Sequence, residues 1–327
     1  MKTVKNTILK AIKTLLLPLA IFALFSLVSD SGFSSPQTLY VMLQQSVGTA
    51  IVAYGFAFAN MVGITDFSIG SRLILAEIIG GMCAARFGIP GLVLGCILTS
   101  IICGILSAVV FRVTKIPSFI VAFGLVLILE VCGSLAAQAH GGTVILTRAT
   151  AVLGRPPFNF IILIIAGLLF SVILYRTRFS YQVQAVGNNE VIARSMGVNS
   201  VRVKCMTYVV GSVFIGIAAI VLLSYSSAIG AQMGMMTMSQ LFRPMMAFMI
   251  AKILKKNCPI PIGIVVGVYS LNLLFTGIVA IGLLDAFQDV ALGFMMILVI
   301  VLTNNLYAVR AFFRRLTTRG SLANGQA

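Results

Sequence analysis

The chain contains no tryptophan, one histidine and seven acidic residues in 327 positions, and only 9% of its residues are charged. An ordinary soluble domain carries about a quarter charged residues, so that class is excluded first. The single histidine, His140, stands beside Gly141 and Gly142 in a loop and reads as a solvated side chain. The acids are Asp30, Asp66, Glu77, Glu130, Glu190, Asp285 and Asp289, and no conventional acid–base pair is visible among them, which argues against an enzyme. No G-x-x-x-x-G-K-[ST] run occurs, so the chain has no P-loop for a nucleotide, and no H-E-x-x-H run occurs either. The six cysteines, Cys83, Cys96, Cys103, Cys132, Cys205 and Cys258, lie in or beside apolar segments without C-x-x-C spacing. They point to neither a zinc site nor a disulfide framework and read as small packing residues.

What is abundant is apolar: 60% of the residues, with a mean hydropathy of +1.10. A soluble protein could not hide that much apolar surface, and the expected class is an all-α polytopic membrane protein. A crossing needs about 20 apolar residues. Ten segments qualify: 11–29, 42–63, 69–85, 90–111, 117–138, 158–175, 205–226, 237–252, 259–282 and 287–304. Breakers mark most boundaries, as at Gly88-Ile89-Pro90 and Pro156-Pro157. The segment 237–252 is short and contains Arg243 and Pro244. The N-terminus has a basic start and an apolar run to Val28 but no A-x-A cleavage site, and it is expected to be a retained first helix.

The net charge of +16 is an orientation signal. With ten crossings and both termini cytoplasmic, 19 of the 23 basic residues lie inside, Arg72, Arg112, Lys252 and the tail Arg310, Arg314, Arg315 and Arg319 among them. Arg86, Arg148 and Arg155 lie outside, and Arg243 lies within a span. The charge therefore gives no reason to invoke nucleic acid.

Charges at membrane depth are costly and face a cavity or a partner. Glu77, Glu130 and Arg243 are in that position. Glu77 and Arg243 are expected either to line a passage or pair across it, or to form a structural contact away from it. Seven methionines crowd 233–249, which reads as adaptable packing or, alternatively, a soft-metal path. Asp66 to Arg72 and Thr237 to Arg243 have the same offset at the starts of two segments of opposite direction, a correspondence expected of an inverted repeat.

The longest polar inner segment is 176–204. It reads as a short strand-like lead followed by a helix of about two turns. Asn188 or Asn189 caps that helix, Glu190 sits in its first turn, and Gly197 closes it. Such a loop is either a knob that docks into a partner or a solvated connector.

Gly187-Asn188-Asn189-Glu190-Val191-Ile192-Ala193-Arg194-Ser195-Met196-Gly197-Val198 closely resembles the cytoplasmic loop of ribose-type ABC importer permeases. Gly63-Ile64-Thr65-Asp66-Phe67-Ser68-Ile69-Gly70-Ser71 resembles that family's G-I-D-L-S-V-G-S turn, and Ile116 to Gly124 is similar to its P-x-F-I-x-T-L-G helix start. The motifs occur in family order. In the second half, Ser239 to Lys252 departs from the pattern: the family's acid and paired glycines are missing, and a basic residue and a proline stand instead.

The resemblance implies that 1–327 is a single permease domain with an inverted repeat and that 176–204 is its coupling loop. It implies a cytoplasmic ABC ATPase docked on Asn188, Asn189, Glu190, Arg194 and Gly197. It further implies an extracytoplasmic binding protein and a second permease copy or paralogue in the bilayer. The cargo would be a sugar or nucleoside-like molecule, and the chain itself would hold no cofactor or metal, ATP being bound by the partner. Asp66, Ser68 and Gly70 would form a turn near the pathway; Glu77, Glu130 and Arg243 are expected along it because of their depth, not from the resemblance. The alternatives are a proton-coupled transporter using Glu77 or Glu130, and a membrane enzyme.

Overall fold

The computed structural model describes residues 2–28, 33–282 and 286–304. The basic tail from Arg310 to Arg319, and Asp30 and Asp285, lie outside the described residues. The helices are α1 (Lys2–Val28), α2 (Pro36–Met61), α3 (Ile69–Thr114), α4 (Ser118–Gln138), α5 (Phe158–Arg176), α6 (Arg178–Asn188), α7 (Glu190–Ser195), α8 (Ser200–Ser226), α9 (Ser239–Leu254), α10 (Ile260–Ala280) and α11 (Ala286–Asn304). Among the described residues, α2, α3, α4, α5, α8 and α10 are long and apolar enough to cross a membrane.

At 46 residues, α3 would run about 69 Å if straight, more than twice a hydrocarbon core. It is a hairpin instead. Gly88 adopts φ 64° and ψ −146°, a backbone conformation essentially restricted to glycine. Beyond it the chain turns back, so that Gly80 lies against Cys96 and Gly95 against Gly80 and Cys83. The segments expected at 69–85 and 90–111 are the two limbs of this hairpin. The short segment expected at 237–252 is α9, whose 16 residues give about 24 Å, preceded by a 3-10 turn at Met236–Met238.

The central helix is α8, packed between α2 and α3. Gly55 and Gly211 make its crossing with α2 close: a Cβ on either would sit 2.7–2.8 Å from the other's carbonyl oxygen. An aromatic cluster fills the space beside that crossing. Tyr54 stacks on Phe170 at 4.8 Å, Phe58 lies 5.0 Å from Phe170, and both Tyr54 and Phe58 touch Phe214. The Tyr54 hydroxyl donates to the Pro261 carbonyl at 3.2 Å, so the polar end of a buried ring is satisfied.

The fold is mostly helical, as expected, and carries one short ladder: β1 (Thr143–Ile145) and β2 (Ala228–Gly230) pair antiparallel, with Thr143 opposite Gly230 and Ile145 opposite Ala228. Three-residue strands are too short to show a period of two. One expectation is corrected. The lead of the 176–204 segment is not strand-like but the helix α6, whose first turn is capped by the Thr177 hydroxyl accepting from the Ser180 N–H. Its alternation of apolar and polar residues belongs to a helix whose buried face carries Ser180, Val183 and Val186.

Candidate functional site

The loop between α2 and α3 is built on Asp66. Its carboxylate accepts from the Ser68 N–H at 3.0 Å and from the Ser68 hydroxyl at 2.6 Å, and it pairs with Arg72. Arg72 donates in turn to the Ser212 hydroxyl on α8 at 2.8 Å and to the Ser68 carbonyl at 3.4 Å. Both charged side chains are at most 2% exposed. Arg72, counted in the sequence as a basic residue of an inner segment, is thus an internal counter-ion, and its guanidinium lies 6.0 Å from the Tyr208 ring. Gly70 faces Thr237, whose carbonyl oxygen occupies the place a Cβ would take.

Thr237 is held from its other side by Glu130 of α4. The buried carboxylate accepts from the Met235 N–H at 2.8 Å, the Thr237 N–H at 3.0 Å and the Thr237 hydroxyl at 2.7 Å. Met235 is left-handed, with φ 66°. Glu130 therefore fastens the turn that leads α9. Glu77 is buried in the first limb of α3. Glu77 and Arg243 were expected to line a passage or pair across it, or to form a structural contact away from it; the described ion pairs include none between the two.

Arg243 stands in a half-open cavity of about 830 Å³ between α2, α8, α9, α10 and α11. Its guanidinium lies over the Phe275 ring at 4.5 Å and donates to the Gln288 side-chain oxygen at 3.2 Å. Gln45, Thr49, Tyr225, Gln240 and Asn272 supply further polar groups, and Leu222, Leu292 and Met296 an apolar wall. The Asn272 amide donates to the Ser46 hydroxyl at 2.8 Å, which sets its orientation. Of the residues expected along a pathway, only Arg243 lines this cavity; Asp66, Ser68, Gly70, Glu77 and Glu130 do not. The lining amides were missed because only charges were sought within the apolar segments. Gln45 and Asn272, polar residues inside such segments, were the available signal.

At one end of the bundle, α6 and α7 form a rigid knob. Gly187 lies against the Met61 carbonyl, which fastens α6 to the end of α2. Asn188 is the exposed last residue of α6, and Asn189 is the cap of α7, its side-chain oxygen accepting from the N–H groups of Val191 at 3.0 Å and Ile192 at 3.1 Å. Glu190 bridges Arg194 at 2.7 Å and Lys204 of α8 at 2.8 Å, and Arg194 also donates to the Ser200 hydroxyl at 2.7 Å. The hydrogen bond from Lys204 is the chief cause that holds the Glu190 carboxyl below the usual carboxylate value. Gly197 ends the helix at φ 85°.

The outer face of this knob is apolar: Val191 is 78% exposed, Met196 78% and Ile192 57%. Beneath it, Val183, Val186 and Ala193 share one cluster with Val62 and Ile64 of the α2–α3 loop and with Tyr208 of α8. The knob and the Asp66–Arg72 turn are parts of one packed unit.

Spanning helices around a half-open cavity of mixed polarity, with a stiff knob at one end, define a helical membrane permease. Residues 38–300 match the family described as the branched-chain amino acid transport system permease component, and the chain belongs to it. It is 26% identical over 224 residues to the autoinducer 2 import system permease protein LsrC of Salmonella typhimurium, covering 66% of this chain and 63% of that one. It is 27% identical over 198 residues to the galactofuranose transporter permease protein YtfT of Escherichia coli, covering 58% and 56% of the two chains. It is 23% identical over 227 residues to the fructose import permease protein FrcC of Rhizobium meliloti, covering 64% and 61%. The chain thus spans under two thirds of the length of these relatives. No solved structure matches it.

Proposed function

We propose that the chain is the membrane-spanning permease subunit of a binding-protein-dependent ABC importer that carries a sugar or sugar-like molecule inward. The observation that carries this reading is the knob. Asn189, Glu190 and Arg194 stiffen it, Gly197 closes it, and its exposed Val191, Ile192 and Met196 form a compact apolar face. A simple connector needs neither the cap, nor the double ion pair, nor such a face. A partner ATPase seated there would act on the α2–α3 loop through the shared cluster, and it would supply the ATP site that this sequence lacks.

The cavity suits the cargo. Sugars present both hydroxyl-bearing edges and apolar faces, and the lining offers amides and hydroxyls beside Leu222, Leu292 and Met296. The relatives carry fructose, galactofuranose and autoinducer 2 in their names. The topology is ten crossings with both termini cytoplasmic, the α3 hairpin supplying two of them. The inverted repeat is supported by the meeting of the leads of α3 and α9 at Gly70 and Thr237. The subunit works as a dimer with itself or with a paralogue and receives its cargo from a binding protein outside.

The test is co-purification with the neighbouring ATPase and binding protein, followed by uptake in proteoliposomes. The expected result is uptake that requires ATP and is lost when Val191 and Met196 become Asp. Uptake driven by a proton gradient with no ATPase present would overturn it. That outcome belongs to the second reading, a proton-coupled transporter using Glu77 or Glu130, both buried acids, of which Glu130 already accepts from Met235 and Thr237. Loss of gradient-driven uptake in Glu77→Gln would then support the second reading.

A further inference from the structure

A second cavity, of about 710 Å³, lies between the second limb of α3 and the start of α8, at the end of the bundle that carries the knob. It follows from how these two antiparallel elements meet. They are in close contact at Gly104, where the Ser212 hydroxyl occupies the place of a Cβ. Nearer the knob they still touch where the Cys205 thiol meets the Ala108 carbonyl at 3.5 Å. On the outer side of that contact, each helix contributes a stripe at helical spacing. On α3 the stripe is Ile105, Val109 and Arg112; on α8 it is Arg202, Met206 and Val209. The groove is therefore apolar along most of its length and basic at its mouth.

Its chemistry is that of a lipid site. Ile105 is 46% exposed, Val109 52% and Met206 40%, within segments that are otherwise membrane-spanning. Ile105 and Arg112 lie seven positions apart, as do Arg202 and Val209, so each stripe runs about 10 Å from the charged mouth into the apolar depth. Arg112 and Arg202 are exposed, belong to no ion pair among the described residues, and share a lining that includes no carboxylate. Two cations at the rim of an intramembrane apolar groove match one amphiphile: an acid headgroup with an alkyl chain.

We propose that this groove binds an anionic phospholipid, its phosphate held between Arg112 and Arg202 and an acyl chain laid along Ile105, Val109, Met206 and Val209. The bound lipid fills the wedge between α3 and α8 next to the knob. The site is independent of the cargo and of the transport reading.

The test uses the delipidated full chain in detergent and native mass spectrometry, with phosphatidylglycerol, phosphatidylcholine and inorganic phosphate as probes. Phosphatidylglycerol is expected to be retained, phosphatidylcholine not, and millimolar phosphate is expected not to displace the lipid. Arg112→Gln and Arg202→Gln should each weaken retention about fivefold. The Arg112→Lys/Arg202→Lys double variant should keep retention, because a point charge suffices for this contact. Equal retention of both lipids would overturn the proposal, as would unchanged retention in the two Gln variants. Displacement by phosphate alone would mark a free-anion site instead. Unchanged lipid retention with loss of ATPase binding in the Gln variants would give the groove to the partner protein and likewise overturn the proposal.

Discussion

Gly70, in the first turn of α3, lies directly against the backbone carbonyl of Thr237, in the turn that leads α9. The carboxylate of Glu130 grips the same Thr237 through its N–H and its hydroxyl. The starts of two apolar helices are thereby joined through one residue. Gly70→Ala would force a methyl into backbone that cannot move away as a side chain would. A loss of about 1–3 kcal/mol in stability is expected, read as a lower melting temperature of the purified chain. An unchanged melting curve would mean that the contact is loose.

Glu130→Ala should free the Met235–Thr237 turn, because three donors lose their acceptor inside the protein. Each buried group left unsatisfied costs about 1–3 kcal/mol. Limited proteolysis should cut first within 233–238 in this variant and not in the parent. Glu130→Gln should be intermediate, keeping one acceptor oxygen while placing an amide donor against donors.

The Asp66–Arg72 pair has a sharper signature. Removing either partner leaves a buried charge unmatched, at a cost of about 3–5 kcal/mol. Asp66→Asn and Arg72→Met should each lower stability strongly, and the double variant should recover much of the loss. Additive losses in a thermal-unfolding double-mutant cycle would contradict the coupling.

Glu190 makes the knob sensitive to acid. Its carboxyl is held low chiefly by the Lys204 hydrogen bond, so the stabilising contribution is fully present above the unfolded value of 4.5 and is lost as the pH falls through the lower folded value. Amide exchange in α7 should be flat from neutral pH down to about that value, after correction for intrinsic rates, and should rise below it. Glu190→Gln should show the raised exchange already at pH 7.

Cavity residues should control the cargo without affecting the fold. Gln240→Leu removes a polar contact from the lining, and the loss of one neutral hydrogen bond is about 0.5–1.5 kcal/mol. The KM of uptake should rise about three- to tenfold with melting unchanged. An unaltered KM would place the cargo elsewhere.

Much of the architecture was legible because it rests on local signals. Asn189, Glu190 and Gly197 stand where a cap, a first-turn acid and a closing glycine belong, and α7 has those ends. Gly88 and Pro90 marked the reversal inside α3. The strands at 143–145 and 228–230 were not legible, since their hydrogen-bonding partners lie more than 80 positions apart. The cavity as a whole was not legible either: Gln45 and Asn272 stood out as polar residues in apolar segments, but the lining comes from five helices that only the fold brings together.

The sequence alone determined the solvent of this protein, the places where its apolar runs break, and the chemistry of its knob. Those follow from composition and from interactions within a few residues. Only the tertiary structure decided what the buried charges do. Arg72 found Asp66 and Ser212 and Glu130 found Thr237, whereas Arg243 is not buried but stands exposed over Phe275 in the cavity wall. A charge in an apolar run announces that it must be satisfied, but its partner is chosen by which helices pack together, and that choice spans the whole chain.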